Sequence, residues 1–122
     1  MLFFKTKIIG NLGENASAKY LKKKRYRILD RNYKTKFGEI DIIAEKNDVI
    51  CFIEVKTRRN KQYGEARDAV DIYKQRKIIS VAEYYIMSKK YDKSCRFDVI
   101  EVYLSGTDEV DKIEHIENAF WC

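Results

Sequence analysis

The chain has 122 residues, of which 45% are hydrophobic and 36% charged, a balance that suits one globular domain (1–122, core about 10–120) and argues against wholesale disorder. Its net charge of +6 is uneven: residues 1–38 hold 11 basic and 2 acidic side chains, and such a block favours either a polyanion partner, usually nucleic acid, or a merely solubilising surface. No apolar run approaches the ~20 residues of a membrane span, Met1 to Phe4 is too short for a signal-peptide core, and Cys51, Cys95 and Cys122 form neither a disulfide framework nor a zinc-site spacing, so a soluble, cytoplasmic protein is expected.

Met1 to Ile9 carries little signal beyond an apolar, basic lead-in. Gly10-Asn11 can cap a helix from about Leu12 to Lys24, on which Glu14, Ser17, Ala18 and Leu21 fall on one packed stripe while Lys19, Lys22 and Lys23 point outward. Small residues at Gly13, Ala16, Ser17 and Ala18 would let this helix lie close to a sheet. An acid in its first turn, Glu14, complements the helix dipole. Tyr26 to Tyr33 reads as a first strand in basic surroundings, a neighbour for the strands C-terminal to it.

Gly38 to Arg58, GEIDIIAEKNDVICFIEVKTR, contains two runs of β-formers, Ile40 to Ala44 and Val49 to Val55, around the polar Glu45 to Asp48: a β-hairpin. With Asn47 and Asp48 as the central turn residues, Lys46 pairs with Val49 and paired numbers sum to 95. That register sets Asp41 opposite Glu54 and Glu39 opposite Lys56. Alternation places Glu39, Asp41, Ile43, Phe52, Glu54 and Lys56 on one face and the wholly apolar Ile40, Ile42, Ala44, Cys51, Ile53 and Val55 on the other. Opposed carboxylates repel, so a bound cation or a nearby ammonium must compensate, and Lys56 supplies the ammonium. The plain alternative is a solvated sheet face, but Ile43 and Phe52 share that face, which implies cover and a site.

Asp41 followed by Glu54-Val55-Lys56 resembles the signature of the metal-dependent PD-(D/E)xK nuclease superfamily, and GEIDIIA with IEVKTR resembles more narrowly the YraN-like family, uncharacterised bacterial proteins similar in fold to Holliday-junction resolvases. The resemblance covers about Gly10 to Phe120. It implies an α/β fold with an αβββαβ restriction-endonuclease-like core, a mixed sheet flanked by helices. It implies Mg²⁺ or Mn²⁺ held by Asp41, Glu54 and the Val55 carbonyl, with DNA as partner, and it gives Glu14 a sharper role as a third carboxylate over the hairpin. The related resolvases act as dimers, which makes a homodimer conceivable here, although no stretch marks an interface.

After the hairpin, Thr57 to Arg67 is polar, contains Gly64 and reads as a loop. Arg58, Arg59 and Lys61 leave the strand end that carries Lys56 and form a natural phosphate clamp, although exposed basic loops are commonplace. Asp71 can cap a second helix to about Lys89, with Gln75, Ile78, Ile79, Ala82 and Ile86 on one stripe. Gln75 either hydrogen-bonds substrate or water at the cation site or satisfies backbone groups; Lys74-Gln75 matches the Lys-Gln of the YraN-like pattern, and Lys74 joins the candidate nucleic-acid contacts. Relatives often have a proline before this helix, and this chain has none. Arg96 to Leu104 is a clear strand and Lys112 to Phe120 a last edge strand. His115, the sole histidine, reads as structural.

Phosphodiester hydrolysis needs an activated water and relief of charge at the transition state, and a hard cation on carboxylates can supply both. Lys56 would orient or deprotonate the water or, with its ammonium kept charged, neutralise developing charge. A metal-dependent endonuclease acting on DNA, branched or otherwise distorted DNA included, is the leading expectation. The alternative is a catalytically silent nucleic-acid-binding or protein-interaction module on the same fold.

Overall fold

Asn47 and Asp48 both adopt left-handed backbone, with φ of 52° and 63°, the conformation a two-residue hairpin turn requires and one that Asn and Asp tolerate. In the computed structural model, which describes residues 2–59 and 70–121 (side chains of residues 2–6 aside), that turn closes the expected hairpin. The register is Lys46↔Val49, Glu45↔Ile50, Ala44↔Cys51, Ile43↔Phe52 and Ile42↔Ile53.

The elements run α1 (Leu2–Lys23), β1 (Arg27–Thr35), β2 (Gly38–Lys46), β3 (Val49–Arg58), α2 (Ile72–Lys89), β4 (Ser94–Leu104) and β5 (Val110–Phe120). The sheet order is β1-β2-β3-β4-β5. Among the described strands only β3 and β4 pair in parallel, across the segment that contains α2; the other neighbours are antiparallel. Helices cover both faces, as parallel pairing demands. Ala18 and Leu21 of α1 bury Ile42, Ala44, Cys51, Ile53, Ile100 and Val102, while Ile78, Val81, Ala82 and Tyr85 of α2 bury Ile40, Ile43, Phe52, Phe97 and Val99. This α/β arrangement is consistent with a restriction-endonuclease-like core. No described helix is long and apolar enough to cross a membrane.

The first helix starts ten residues before the expected Leu12 and runs through Gly10 and Gly13. A glycine in a helix interior costs about 1 kcal/mol, too little to break a helix whose Ile9 packs against the core. Gly13 has a positive reason as well: a Cβ there would lie 1.7 Å from Thr57 Oγ1, so only glycine lets α1 lie this close to β3. The second helix begins as expected, its Asp71 side chain accepting the Lys74 N–H. Its buried stripe, however, centres on Ile78, Val81, Ala82 and Tyr85, rotated from the expected one because Tyr85 turns inward against Tyr33 and Phe52.

Strand alternation breaks in β2 at Asp41. Ile42 packs toward α1, yet Ile40 packs toward α2, so the expected all-apolar face does not include Ile40. The partner strand makes the same change: Arg31, paired with Ile42, reaches Glu14 of α1, whereas Tyr33, paired with Ile40, meets Tyr85 of α2 edge to face. Between them lie Asn32, with φ of 52°, and Asp41. A left-handed residue in a strand reverses its facing, and Asp41 sits at that reversal.

Candidate metal centre and nucleic-acid interface

The β2 and β3 ladder ends at Ile42↔Ile53. Beyond it β2 pairs with β1 and β3 with β4, so the two strands part and Asp41 and Glu54 do not form the directly opposed pair expected from the register. Glu39 and Lys56 are likewise not paired. Instead the Val55 N–H donates to Asp41 Oδ2 at 2.8 Å: the carboxylate takes the place of a ladder carbonyl and holds the fork open.

The fork is the floor of a cleft of about 290 Å³. Helix α1 contributes Ile9, Gly10 and Glu14, β2 contributes Asp41, β3 contributes Glu54, Val55, Lys56 and Thr57, and α2 contributes Lys74 from its first turn. Five of the residues singled out in the sequence as catalytic or metal-binding, Glu14, Asp41, Glu54, Val55 and Lys56, are thus brought together.

The charges in the cleft act on one another. Burial, then the charge of Glu54, pushes the Asp41 carboxyl up to about 7, against the pull of the Val55 N–H. Burial also raises the Glu14 carboxyl, against Asn32 and Arg31; its Oε1 has no hydrogen-bond partner among the described residues and lies 3.8 Å from Arg31 Nη2. The buried Glu54 carboxylate faces Lys74 Nζ at 2.6 Å and Lys56 Nζ at 3.8 Å. Burial and the neighbouring Lys74 lower the Lys56 pKa. Burial acts against the Lys74 ammonium too, but its hydrogen bond to Glu54 and the Glu54 charge outweigh it and raise its pKa.

Among the described residues no group of three His, Cys, Asp or Glu side chains is arranged to hold an ion. The carboxylates that share the cleft offer hard oxygens, among them a Glu14 Oε1 that accepts no hydrogen bond from the described residues, and the site already draws an ammonium onto Glu54. Two carboxylates and a carbonyl suit Mg²⁺ or Mn²⁺, since Mg²⁺ in particular keeps several waters and needs few protein ligands. The residues present therefore fit a hard divalent cation.

The other candidates are engaged elsewhere. Gln75 does not line the cleft: its Nε2 donates to the Val70 carbonyl at 3.0 Å, which is the backbone-satisfying role. Arg58 pairs with the fully buried Glu101, and Arg59 makes two hydrogen bonds of 2.9 Å to Asp108. Lys61 lies outside the described residues. Lys74, placed in the sequence among nucleic-acid contacts, is a cleft residue bound to Glu54. Sequence reasoning missed Glu101, which pairs in register with Lys56 across the parallel strands; its only local signal is an acid inside an apolar strand. His115 is structural, as expected: its Nε2 lies 2.8 Å from the buried Asp98, which also accepts two hydrogen bonds from Arg96.

A family model described as Uncharacterised protein family UPF0102 matches residues 13–102. UPF0102 proteins similar to this chain include one from Caldanaerobacter subterraneus subsp. tengcongensis, 47% identical over 116 residues, covering 93% of this chain and 95% of the relative. One from Caldicellulosiruptor saccharolyticus is 46% identical, covering 92% of this chain and 96% of the relative. One from Fusobacterium nucleatum subsp. nucleatum is 50% identical, covering 95% and 93%.

Proposed function

From the premise that the chain belongs to the uncharacterised family UPF0102, the YraN-like family its motifs resemble, we propose that it is a divalent-metal-dependent endonuclease that hydrolyses DNA phosphodiester bonds, with a preference for branched or otherwise distorted DNA. The observation that carries this reading is the gathering of Asp41, Glu54 and Lys56 in one cleft at the fork of β2 and β3.

Asp41, Glu54 and the Val55 carbonyl would hold Mg²⁺ or Mn²⁺, with Glu14 facing the same space. The cation supplies Lewis acidity toward phosphate oxygens and favours ionisation of water near neutral pH. Burial around the fork excludes bulk water and strengthens each charge in the cleft. Lys56, whose ammonium is already less favoured than in water, orients the attacking water and meets the charge that grows on the phosphoryl oxygens. Lys74, once released from Glu54, is positioned to bind the phosphate on its α2 side.

The competing reading, a catalytically silent platform, is favoured by one observation: Lys74 and Lys56 both pair with Glu54. Incubation of the purified chain with Mg²⁺ or Mn²⁺ and duplex, single-stranded or junction DNA decides between them. The nuclease reading expects cleavage that Asp41→Ala abolishes; uncut DNA of every form, or equal cleavage by the variant, overturns it. Calorimetry with Mn²⁺ then separates the two, since a platform binds no ion through Asp41 and Glu54.

A further inference from the structure

The turn between β1 and β2 lies at the same end of the sheet as the cleft. Phe37, in that turn, is 49% exposed, and Tyr84, on α2, is 51% exposed. Neither ring belongs to a core cluster, so neither is explained by packing. Together with Lys34, Thr35 and Lys36 they wall a pocket of about 370 Å³. Isolated exposed aromatics need no explanation, but two rings that line one pocket together with two lysines do.

The charge has one sign. Lys36 lies over the Phe37 ring, 5.3 Å from its centroid, and Lys34 pairs with Glu39 at 3.5 Å. Among the described residues no carboxylate pairs with Lys36, or with Lys77, whose Cβ lies near Gly38 behind the turn. Tyr73, 72% exposed, stands on the same helical row as Lys77 and Tyr84, continuing the aromatic and basic surface toward Lys74.

We infer that this pocket binds an unpaired base of single-stranded DNA between Phe37 and Tyr84, with Lys34 and Lys36 on the adjoining phosphates. A base presents a flat π-face to the rings, and its backbone presents an anion for Lys36, which pairs with no carboxylate among the described residues, and a competitor to Glu39 for Lys34; aromatics interleaved with lysines are the surface that single strands select. Phe37 and Asp41 are four residues apart, at most about 13 Å along extended backbone, so one strand can fill the pocket and cross the cleft. The inference rests on the nuclease reading for its choice of DNA, and it names the substrate class of that site: DNA with an unpaired stretch beside the cut.

The test uses the full chain in chelator, so that no cleavage occurs and failure of the nuclease reading is separable from failure of this one. The probe is a short fluorescein-labelled oligodeoxythymidylate followed by anisotropy. Phe37→Ala and Tyr84→Ala are each expected to weaken binding about tenfold without changing its salt dependence, while Phe37→Trp retains affinity. Lys36→Ala is expected to lower the salt slope by about one. An abasic oligonucleotide of equal length should bind the wild type as weakly as the probe binds Phe37→Ala. Unchanged affinity in both alanine variants, equal binding of the abasic strand, or no binding by the wild type overturns the inference.

Discussion

Lys74 Nζ lies 2.6 Å from Glu54 Oε1, which places an ammonium on the carboxylate proposed as a metal ligand. Cation and ammonium then compete for one charge, and removing the ammonium should help the ion. Lys74→Met is expected to tighten Mn²⁺ binding by calorimetry roughly three- to fivefold, the worth of a partly exposed ion pair. Cleavage should fall, because the phosphate loses its contact on that side. Weaker Mn²⁺ binding in the variant would show that Lys74 supports the ion rather than competing with it.

Asp41 makes stability depend on pH. Its carboxyl is raised to about 7 from an ordinary 3.8, by burial first and Glu54 second. The folded chain therefore holds a proton that the unfolded chain releases, and stability falls as pH rises between those values. Asp41→Asn keeps an acceptor for the Val55 N–H and removes the titration. In chelator, the variant should match the wild type near pH 4 and exceed it by ~1–2 kcal/mol at pH 8. Urea unfolding across that range measures the difference, and a constant offset at all pH values would contradict it. The same proton must leave before an ion binds, so Mn²⁺ affinity of the wild type should rise from pH 6 to pH 8.

The hairpin was legible because its causes are local: Asn47 and Asp48 accept left-handed backbone, and two runs of β-formers flank them. The fork was not, since it depends on Asn32 of the neighbouring strand reversing its facing beside Asp41, which no window around Asp41 contains. Counting residues at period two therefore put Ile40 on the wrong face. The pairing of Lys74 with Glu54, and Glu101 altogether, escaped for the same reason. A first-turn helix residue and an acid in an apolar strand acquire their partners, Glu54 and Arg58, only through packing and parallel pairing between distant segments. The start of α1 was obscured by Gly10, which with Asn11 reads as a cap, whereas the close approach to the sheet was legible in the small Gly13 that admits Thr57.

Gly13→Ala tests that close approach. Alanine is the better helix former by about 1 kcal/mol, yet its Cβ would meet Thr57 Oγ1 at 1.7 Å. Overpacking should win, with a net loss of ~1–3 kcal/mol in urea unfolding. Thr57→Ala in the same chain removes the Oγ1 and should recover much of that loss, a coupling visible in a double-mutant cycle. Stabilisation by Gly13→Ala alone would mean that α1 does not lie against β3 as described. Because α1 carries Glu14 into the cleft, the single variant should also weaken Mn²⁺ binding.

Arg58 separates a structural from a DNA-binding role. Its guanidinium pairs with Glu101, which is fully buried and has an Oε2 without a hydrogen-bond partner among the described residues. Burial raises the Glu101 carboxyl, while Arg58 and Lys56 oppose that rise. Arg58→Ala leaves a buried acid without its main counter-charge, which should cost ~3 kcal/mol at neutral pH. The loss should shrink as pH falls and Glu101 takes up a proton, the folded chain of the variant holding it more tightly than the unfolded one. Arg58→Ala/Glu101→Gln removes the stranded charge and should regain most of the stability. If Arg58 were chiefly a phosphate contact, Arg58→Ala would leave urea unfolding nearly unchanged and weaken DNA binding alone, and Glu101→Gln would rescue nothing.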